Sequence, residues 1–287
     1  MGAADVVPGV SGGTIAFISG IYEELITSIN NIDFSLIKTW RSKGFNAFWE
    51  KLNGNFLVAL FLGIFTSLFS LATLVSWLLE NEPVLLWSFF FGLVTASIFF
   101  VGKEISKWNL GIVLFLMVGA AIAYFITTLP VSENSASLPY LFVSGAIAVC
   151  AMILPGISGA FILVLLGSYK TILDAVHERD VKIVLTVGLG AIFGLLSFAK
   201  LLKWMFSHYK NLTLALLTGF ILGSLNKIWP WKLVLESKTI GEKIITIKEQ
   251  NVSPFAFEGD NQLMFAIIAA IIGFSLIFIL EKLASRK

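Results

Sequence analysis

Two apolar stretches of this chain are interrupted by nearly the same six residues, which read Pro8-Gly9-Val10-Ser11-Gly12-Gly13 and Pro155-Gly156-Ile157-Ser158-Gly159-Ala160. Proline and adjacent glycines end a helix, because proline lacks an amide hydrogen and glycine favours non-helical backbone. A broken backbone at membrane depth is tolerated only where protein or a water-filled cavity satisfies its polar groups. Each interrupted stretch, 1–30 and 138–177, is therefore predicted to be a re-entrant hairpin with the six residues at its tip.

The composition places these stretches in a membrane protein. Of the 287 residues, 57% are hydrophobic and 13% are charged, whereas an ordinary soluble domain has about 25% charged residues. A spanning helix needs about 20 mostly apolar residues. Six runs meet this requirement, at 55–79, 84–101, 109–129, 183–206, 212–228 and 262–280. The predicted fold class is all-α and integral to the membrane, with about six transmembrane helices and two re-entrant hairpins.

The two halves of the chain match each other in the same order, which indicates a duplication. The matched positions include Gly20 with Gly167, Tyr22 with Tyr169, Gly63 with Gly190, Gly92 with Gly219 and Ser97 with Ser224. The offset changes from 147 to 127 residues, because the first half holds 20 extra residues in the polar stretch 31–53. The first repeat is predicted to cover 1–129, as a hairpin plus three spans, and the second to cover 138–287.

Basic residues between the spans predict how the chain is threaded, since short loops rich in Lys and Arg stay in the cytoplasm. The stretch 31–53 contains Lys38, Arg41, Lys43 and Lys51 and is placed inside. Corresponding loops of the two halves then face opposite sides, which predicts an inverted repeat of the kind found in many secondary transporters. The same threading places the Lys-rich loop 227–248 outside, against the rule.

The glycine-rich tips have the composition of an anion-binding site. Glycines let consecutive amide N–H groups point into one concavity, and the start of the following helix, expected at Gly13-Thr14 and Ala160-Phe161, adds unpaired donors. Serine and threonine hydroxyls add more, and the simplest ligand is a phosphate. The predicted phosphate-binding residues are Pro8, Gly9, Ser11, Gly12, Gly13, Thr14, Pro155, Gly156, Ser158 and Gly159. The alternative is that the glycines only allow close helix packing.

Three charged residues are candidates for a coupling or charge role. Asp5 precedes the first tip in apolar surroundings, where an acid is a candidate proton carrier, although it could equally cap a helix. Glu23 follows Tyr22, and a position among lipid headgroups is its simpler interpretation. Lys200 lies within a predicted span, where it either pairs with an anion or extends to the membrane surface.

Several kinds of function find no support in the sequence. The two histidines are far apart, and the chain has one cysteine, so no metal site or cofactor site is predicted. The net charge of +2 gives no reason to expect nucleic acid as a partner. No nucleophile–histidine arrangement or nucleotide-binding Gly-Lys-Ser/Thr loop is present, so the chain is predicted not to be an enzyme.

The first interruption and its flanks resemble a bacterial and archaeal membrane family assigned as polyprenyl-phosphate transporters. The resemblance rests on Gly2-Ala3-Ala4-Asp5-Val6-Val7-Pro8-Gly9-Val10-Ser11-Gly12-Gly13-Thr14, with Tyr22-Glu23 after it. The family's second copy is similar to Leu154-Pro155-Gly156-Ile157-Ser158-Gly159, followed by Gly167-Ser168-Tyr169. The likeness extends over essentially the whole chain.

This resemblance implies a flippase that returns undecaprenyl phosphate, the lipid carrier of cell-wall precursors, from the outer to the cytoplasmic leaflet. It further implies a multi-pass protein of the bacterial plasma membrane, with membrane lipid as partner and undecaprenyl phosphate as substrate. Family members usually have an apolar stretch before the first motif, equivalent to 138–148 here. We therefore expect that this sequence is trimmed at its start and that the first hairpin lacks one arm.

The residues themselves leave two other functions open. A channel or carrier for a small soluble anion could use the same tips, and competition by water-soluble phosphate would favour it. A membrane enzyme such as a lipid phosphatase is the third hypothesis, which phosphate release from a prenyl phosphate would support. No oligomeric state, coupling ion or direction of net transport is predicted from the residues alone.

Overall fold

A computed structural model describes residues 1–5, 11–132, 137–240 and 243–284. The elements are α1 (Gly2–Asp5), α2 (Gly12–Ile18), α3 (Tyr22–Asn30), α4 (Phe34–Leu52), α5 (Gly54–Asn81), α6 (Pro83–Glu104), α7 (Leu110–Thr128), α8 (Leu138–Ile153), α9 (Gly159–Leu165), α10 (Tyr169–His177), α11 (Val181–Ser224), β1 (Lys232–Ile240), β2 (Lys243–Asn251), a 3₁₀ turn (Pro254–Ala256) and α12 (Leu263–Ala284). Helices therefore dominate the described chain.

Long apolar helices confirm that this is a multi-pass membrane protein. Among the described residues, four helices are long and apolar enough to cross a bilayer, namely α5, α6, α7 and α11. The bent pair α9–α10 raises the number to five if it counts as one span. The 44 residues of α11 contain non-helical backbone at Tyr209 (φ −137°, ψ 46°), between the expected spans 183–206 and 212–228. The expected span 262–280 falls on α12, and the number of crossings stays a prediction.

Helices α6 and α12 cross at a pair of glycines. A β-carbon on Gly92 would lie 1.9 Å from the Ala270 carbonyl oxygen, and one on Gly273 would lie 2.0 Å from that of Phe89. Both distances are far inside van der Waals contact, so the backbones approach each other where side chains are absent. Such small-residue contacts are the usual means of packing helices in a membrane.

Helices α7 and α11 repeat this crossing. Here β-carbons on Gly219 and Gly119 would lie 2.1 Å and 2.3 Å from the carbonyl oxygens of Leu116 and Leu216. The correspondence is residue by residue, because Gly92 and Phe89 precede Gly219 and Leu216 by 127 positions. The same pair of glycine contacts therefore occurs twice, once with α6 and once with the second part of α11.

The expectation of an all-α fold is wrong for the Lys-rich loop 227–248. Strands β1 and β2 pair antiparallel there, from Lys232 opposite Asn251 to Ile240 opposite Lys243. The two segments are rich in Val, Ile and Thr, whose branched side chains favour extended backbone. A search for apolar runs of membrane length does not detect such a segment, because its lysines and glutamates interrupt the apolar sequence.

The polar stretch 31–53 is also ordered, as helix α4 with a break at Gly44 (φ 82°). Its surface carries exposed aromatic side chains, including Phe34, Trp40 and Phe45, next to the basic residues that placed it inside. A helix with apolar and basic surface of this kind is typical of the membrane interface. The stretch 31–53 therefore forms a helix with an exposed apolar and basic surface.

Candidate functional site

The second interrupted stretch is broken at two places. Helix α8 ends at Ile153, the next five residues are non-helical, and α9 begins at Gly159, one residue earlier than expected. After seven residues α9 ends, and α10 continues at an angle of 107° to it. The sequence predicted the break at the motif, whereas the second break follows from Gly167.

The turn at Gly167 is a Schellman motif, and the first stretch contains the same turn. Gly167 has φ 66° and Gly20 has φ 73°, a left-handed conformation that glycine adopts without strain. In the second stretch the Ser168 amide donates to the Leu163 carbonyl at 2.9 Å, and in the first the Ile21 amide donates to the Ala16 carbonyl at 3.0 Å. The donors of these two bonds are 147 residues apart, and so are the acceptors. The matched glycines therefore have the same structural role.

In the described part of the first motif, internal groups already occupy the amides of Gly12 and Gly13, which were expected to bind an anion. Pro8 and Gly9 lie outside the described residues, while Ser11 through Thr14 are buried. The Ser11 hydroxyl caps α2 by accepting the Gly13 amide at 3.1 Å. The Asp5 carboxylate accepts the Gly12 amide at 2.7 Å. Asp5 therefore serves here as a built-in anion at the start of α2.

The two motifs are in direct contact, although about half of the chain separates them in sequence. Ser11 Oγ donates to the carbonyl oxygens of Met152 at 3.2 Å and Leu154 at 3.4 Å. In return, the Gly156 amide donates to Thr14 Oγ1 at 2.9 Å. The predicted meeting of the two motifs is therefore observed at Ser11, Thr14 and Gly156.

Close packing leaves no space for side chains at this contact. A β-carbon on Gly13 would lie 2.6 Å from the Ile153 carbonyl oxygen. Gly156 has φ 89°, and a β-carbon there would lie 2.6 Å from the hydroxyl oxygen of Ser224, at the end of α11. The glycines thus do serve close packing, as the alternative interpretation held, and the same packing brings the polar groups of both motifs together.

The second motif is more open than the first. Ser158 at the start of α9 is partly exposed, and Ala160 is exposed. The Ser158 side chain caps no amide of α9, and no other hydrogen bond of its hydroxyl is found among the described residues. A ligand would therefore meet unsatisfied donors at the second motif, whereas at the first it would compete with Asp5 and Ser11.

The remaining charged candidates lie away from this contact. Glu23 Oε1 pairs with Lys210 Nζ at 2.8 Å, and both side chains are about half exposed. Lys200 is exposed on α11, and within the described part of the chain it forms no hydrogen bond or ion pair. Its position agrees with the simpler interpretation, in which the side chain extends to the membrane surface.

Tyr22 belongs to the site, although sequence reasoning used it only as a marker of the repeat. Its hydroxyl donates to the Ile153 carbonyl at 3.1 Å, next to the bonds made by Ser11. The ring is buried and packs edge-on against Phe17, with the ring centroids 4.8 Å apart. The match of Tyr22 with Tyr169 across the two halves was the signal that could have identified it.

Metal-site geometry is not found in the residues described: no three His, Cys, Asp or Glu side chains among them lie close enough to hold an ion. The described site offers backbone amides and carbonyls, the hydroxyls of Ser11, Thr14, Tyr22 and Ser158, and the carboxylate of Asp5, in low-dielectric surroundings. Such groups can bind and release an anion.

Fold and site together define a multi-pass helical membrane protein in which two broken segments meet through matching Gly-Ser motifs. A profile of the family described as undecaprenyl phosphate translocase-like matches residues 1–244. The chain belongs to this family.

Two curated relatives support the assignment. The chain is 46% identical over 292 aligned positions to a polyprenyl-phosphate transporter of Vibrio cholerae serotype O1, covering 100% of this chain and 94% of the relative. It is 34% identical over 249 positions to a polyprenyl-phosphate transporter of Staphylococcus aureus, covering 80% and 83% of the two chains. No solved structure is significantly similar to it.

Proposed function

We propose that this protein moves a polyprenyl phosphate, with undecaprenyl phosphate as the expected substrate, between the leaflets of the bacterial plasma membrane. The observation that carries the proposal is the direct contact of the two Gly-Ser motifs inside a membrane protein. Both relatives are named polyprenyl-phosphate transporters. The phosphate would bind at the motifs, while the prenyl chain remains in the lipid.

The repeated glycine crossings support an inverted repeat with halves 1–129 and 138–287. Helix α6 meets α12 as the second part of α11 meets α7, so each crossing pairs one helix from each half. Two copies of one unit that enter from opposite faces can expose a shared site to either leaflet in turn. Exchange of this kind is what movement of a headgroup across the bilayer requires.

Substrate binding then requires the tips to separate. In the present arrangement Ser11 and Thr14 are bonded to the second motif, and the Gly12 amide is bonded to Asp5. A phosphate that bonds to these donors must replace the internal partners. The Asp5 carboxylate would be released from the Gly12 amide when the headgroup binds, so Asp5 would alternate between two states during transport. A coupling role for Asp5, Glu23 or Lys200 remains a prediction.

Ser158 provides the sharpest test of the site. Because its hydroxyl has no hydrogen-bond partner among the described residues, Ser158→Ala should leave the melting temperature unchanged. It should weaken binding of undecaprenyl phosphate to the purified protein about 10- to 150-fold, since a hydrogen bond to a charged group contributes roughly 1.5–3 kcal/mol. Ser11→Ala should lower both binding and stability. Transport is measured as the change in accessibility of the lipid headgroup at the outer face of proteoliposomes, with undecaprenol as the control lipid.

Ser70→Ala is the matched control, because Ser70 is exposed on α5 and donates to Thr66 of its own helix. The site assignment is wrong if Ser158→Ala binds and transports like Ser70→Ala. If water-soluble phosphate competes for the site and the prenyl phosphate has no effect, the protein would instead be a carrier for a small soluble anion. Release of inorganic phosphate from the lipid would indicate an enzyme, against the transporter names of the relatives.

A further inference from the structure

Two lysines share one carboxylate where α11 ends and the β-hairpin begins. Glu249 Oε1 on β2 lies 2.7 Å from Lys227 Nζ and 3.3 Å from Lys232 Nζ. The side chain of Lys232 is 8% exposed, and those of Lys227 and Glu249 are each 20% exposed. Two ammonium groups held by one carboxylate leave an excess of positive charge in a largely buried place.

Each ammonium group also lies over an aromatic ring, which attracts a cation. Lys227 Nζ is 4.8 Å from the ring centroid of Phe161, and Lys232 Nζ is 4.1 Å from that of Trp87. Phe161 is in the first turn of α9, two residues after Gly159 of the second motif. The lysine pair therefore lies next to the more open of the two motifs.

The base of the β-hairpin is attached to the end of α11. Asn251 Nδ2 donates to the Asn226 carbonyl at 2.7 Å, and Trp229 Nε1 donates to the Val252 carbonyl at 2.9 Å. Lys232 Nζ donates in addition to the Lys227 carbonyl. Because Glu249 is two residues before Asn251, these bonds position its carboxylate between the lysines.

A stabilising role alone is a weak explanation for this cluster. The free energy lost by removing charged groups from water offsets much of the attraction between them. Apolar residues of similar volume often stabilise a protein equally well. The arrangement is what an anion site requires, because two donors converge on one oxygen atom. The Glu249 oxygen occupies the place that an oxygen of a phosphate monoester would take.

We propose that Lys227 and Lys232 capture the phosphate headgroup beside the second motif and that Glu249 is the internal anion which the headgroup displaces. This inference rests on the proposed function and names further residues for it. A phosphate monoester carries about −1.5 to −2 charge near neutral pH, so it neutralises two ammonium groups better than one carboxylate does. Asp5 holds an amide of the first motif in the same way, so each motif would exchange an internal carboxylate for the substrate.

Binding of three probes to the purified full chain tests this proposal. The probes are undecaprenyl phosphate, undecaprenol and inorganic phosphate. Lys227→Gln and Lys232→Gln should each weaken binding of the phosphate lipid about tenfold or more, by loss of a charge-assisted bond. Lys227→Arg should retain it. Lys182→Gln is the matched control, because Lys182 is exposed at the start of α11 and its variant should bind like the original protein.

Glu249→Gln separates capture from a structural role. It leaves two ammonium groups without their carboxylate, so the melting temperature without lipid should fall. Binding of the phosphate lipid should become tighter, because the internal competitor is gone, and the lipid should raise the melting temperature more than in the original protein. A merely structural cluster predicts that Glu249→Gln loses binding together with stability, and this result would overturn the proposal.

The remaining outcomes distinguish the two proposals. If the original protein prefers the phosphate lipid to the alcohol while both lysine→Gln variants bind like Lys182→Gln, the capture site is wrong and the proposed function stands. If the original protein does not discriminate phosphate lipid from alcohol, the proposed function fails. Equal affinity for inorganic phosphate, lost in the lysine variants, supports the anion site and overturns the lipid as its ligand.

Discussion

Thr14 shows how a single hydroxyl joins the two halves of the site. Its Oγ1 accepts the Gly156 amide at 2.9 Å, and both residues are buried. The sequence named Thr14 as a donor for a phosphate, whereas in this conformation it is an acceptor for the opposite motif. The same hydroxyl can take either role, since it carries one hydrogen and two lone pairs.

Replacing Thr14 by valine keeps the shape of the side chain and removes its oxygen. The Gly156 amide is then buried without a partner, which should lower the free energy of unfolding by about 1–3 kcal/mol. Denaturant titration of both proteins in detergent measures this difference in the free energy of unfolding. Thr186→Val is the control, because Thr186 is partly exposed and donates to Lys182 within α11; its effect should stay within about 0.5 kcal/mol. Equal effects of the two variants would contradict the inferred contact.

Lys232 predicts a pH dependence of stability. Burial lowers its pKa from 10.5 to about 8, although the nearby Glu249 carboxylate opposes the shift. Between about pH 8 and pH 10.5 the unfolded chain therefore binds more protons than the folded chain, so stability rises with pH over this range. Lys232→Met lacks the group. The melting temperature of the original protein should thus rise relative to that of the variant above about pH 8, and parallel curves would refute the shift.

At the scale of elements, glycines decide which helices meet. Gly219 on α11 crosses α7 with no room for a side chain, whereas Gly188 on the same helix has no atom within 4 Å of the position of a β-carbon. The two positions have the same residue and opposite surroundings. They form a matched pair for testing the crossing.

Gly219→Ala should destabilise the protein, because a β-carbon 2.1 Å from the Leu116 carbonyl oxygen forces the helices apart. Overpacking of this kind costs about 1–3 kcal/mol. Gly188→Ala should stabilise it by about 0.5–1 kcal/mol, since alanine favours the helix. Unfolding of both variants under identical detergent conditions measures the difference, and effects of the same sign would exclude the close crossing.

At the scale of the whole molecule, the closed contact of the two motifs would be one state of the proposed transport cycle. Ser11 is 1% exposed because the second motif covers it. If the headgroup separates the tips, this position must become accessible. The movement concerns both halves of the chain, so no local variant can report it as directly as a probe placed at the contact.

Ser11→Cys in a Cys150→Ala background provides that probe, since Cys150 is the chain's single cysteine. Provided that the variant still binds the phosphate lipid, its reaction with a small maleimide should become severalfold faster when undecaprenyl phosphate is added and not when undecaprenol is added. Ser88→Cys, buried on α6, should stay unreactive. A Ser11→Cys rate that does not respond to the phosphate lipid would show that the tips remain closed on binding.

Composition and periodicity alone were enough to predict the membrane class, the helices near 55–79, 84–101 and 109–129, and the pairing of the two motifs. These features depend on local hydrophobicity and on matches along the chain, which a single sequence displays directly. The β-hairpin, the second break of each segment at Gly20 and Gly167, and the role of Tyr22 were not predicted. Short strands and turns carry weak signals, which a search for apolar runs of membrane length passes over.

The sequence by itself determined that this chain lies in a membrane, and its two matching Gly-Ser motifs predicted that the interrupted segments belong together. Only the tertiary structure decided which atoms meet: Ser11 with Met152 and Leu154, Thr14 with Gly156, and Glu249 with two lysines. The physical reason is the distance along the chain over which each property is determined. Burial in lipid follows from each residue's own polarity, whereas contacts between residues more than a hundred positions apart depend on how helices without side chains at their crossings pack against one another.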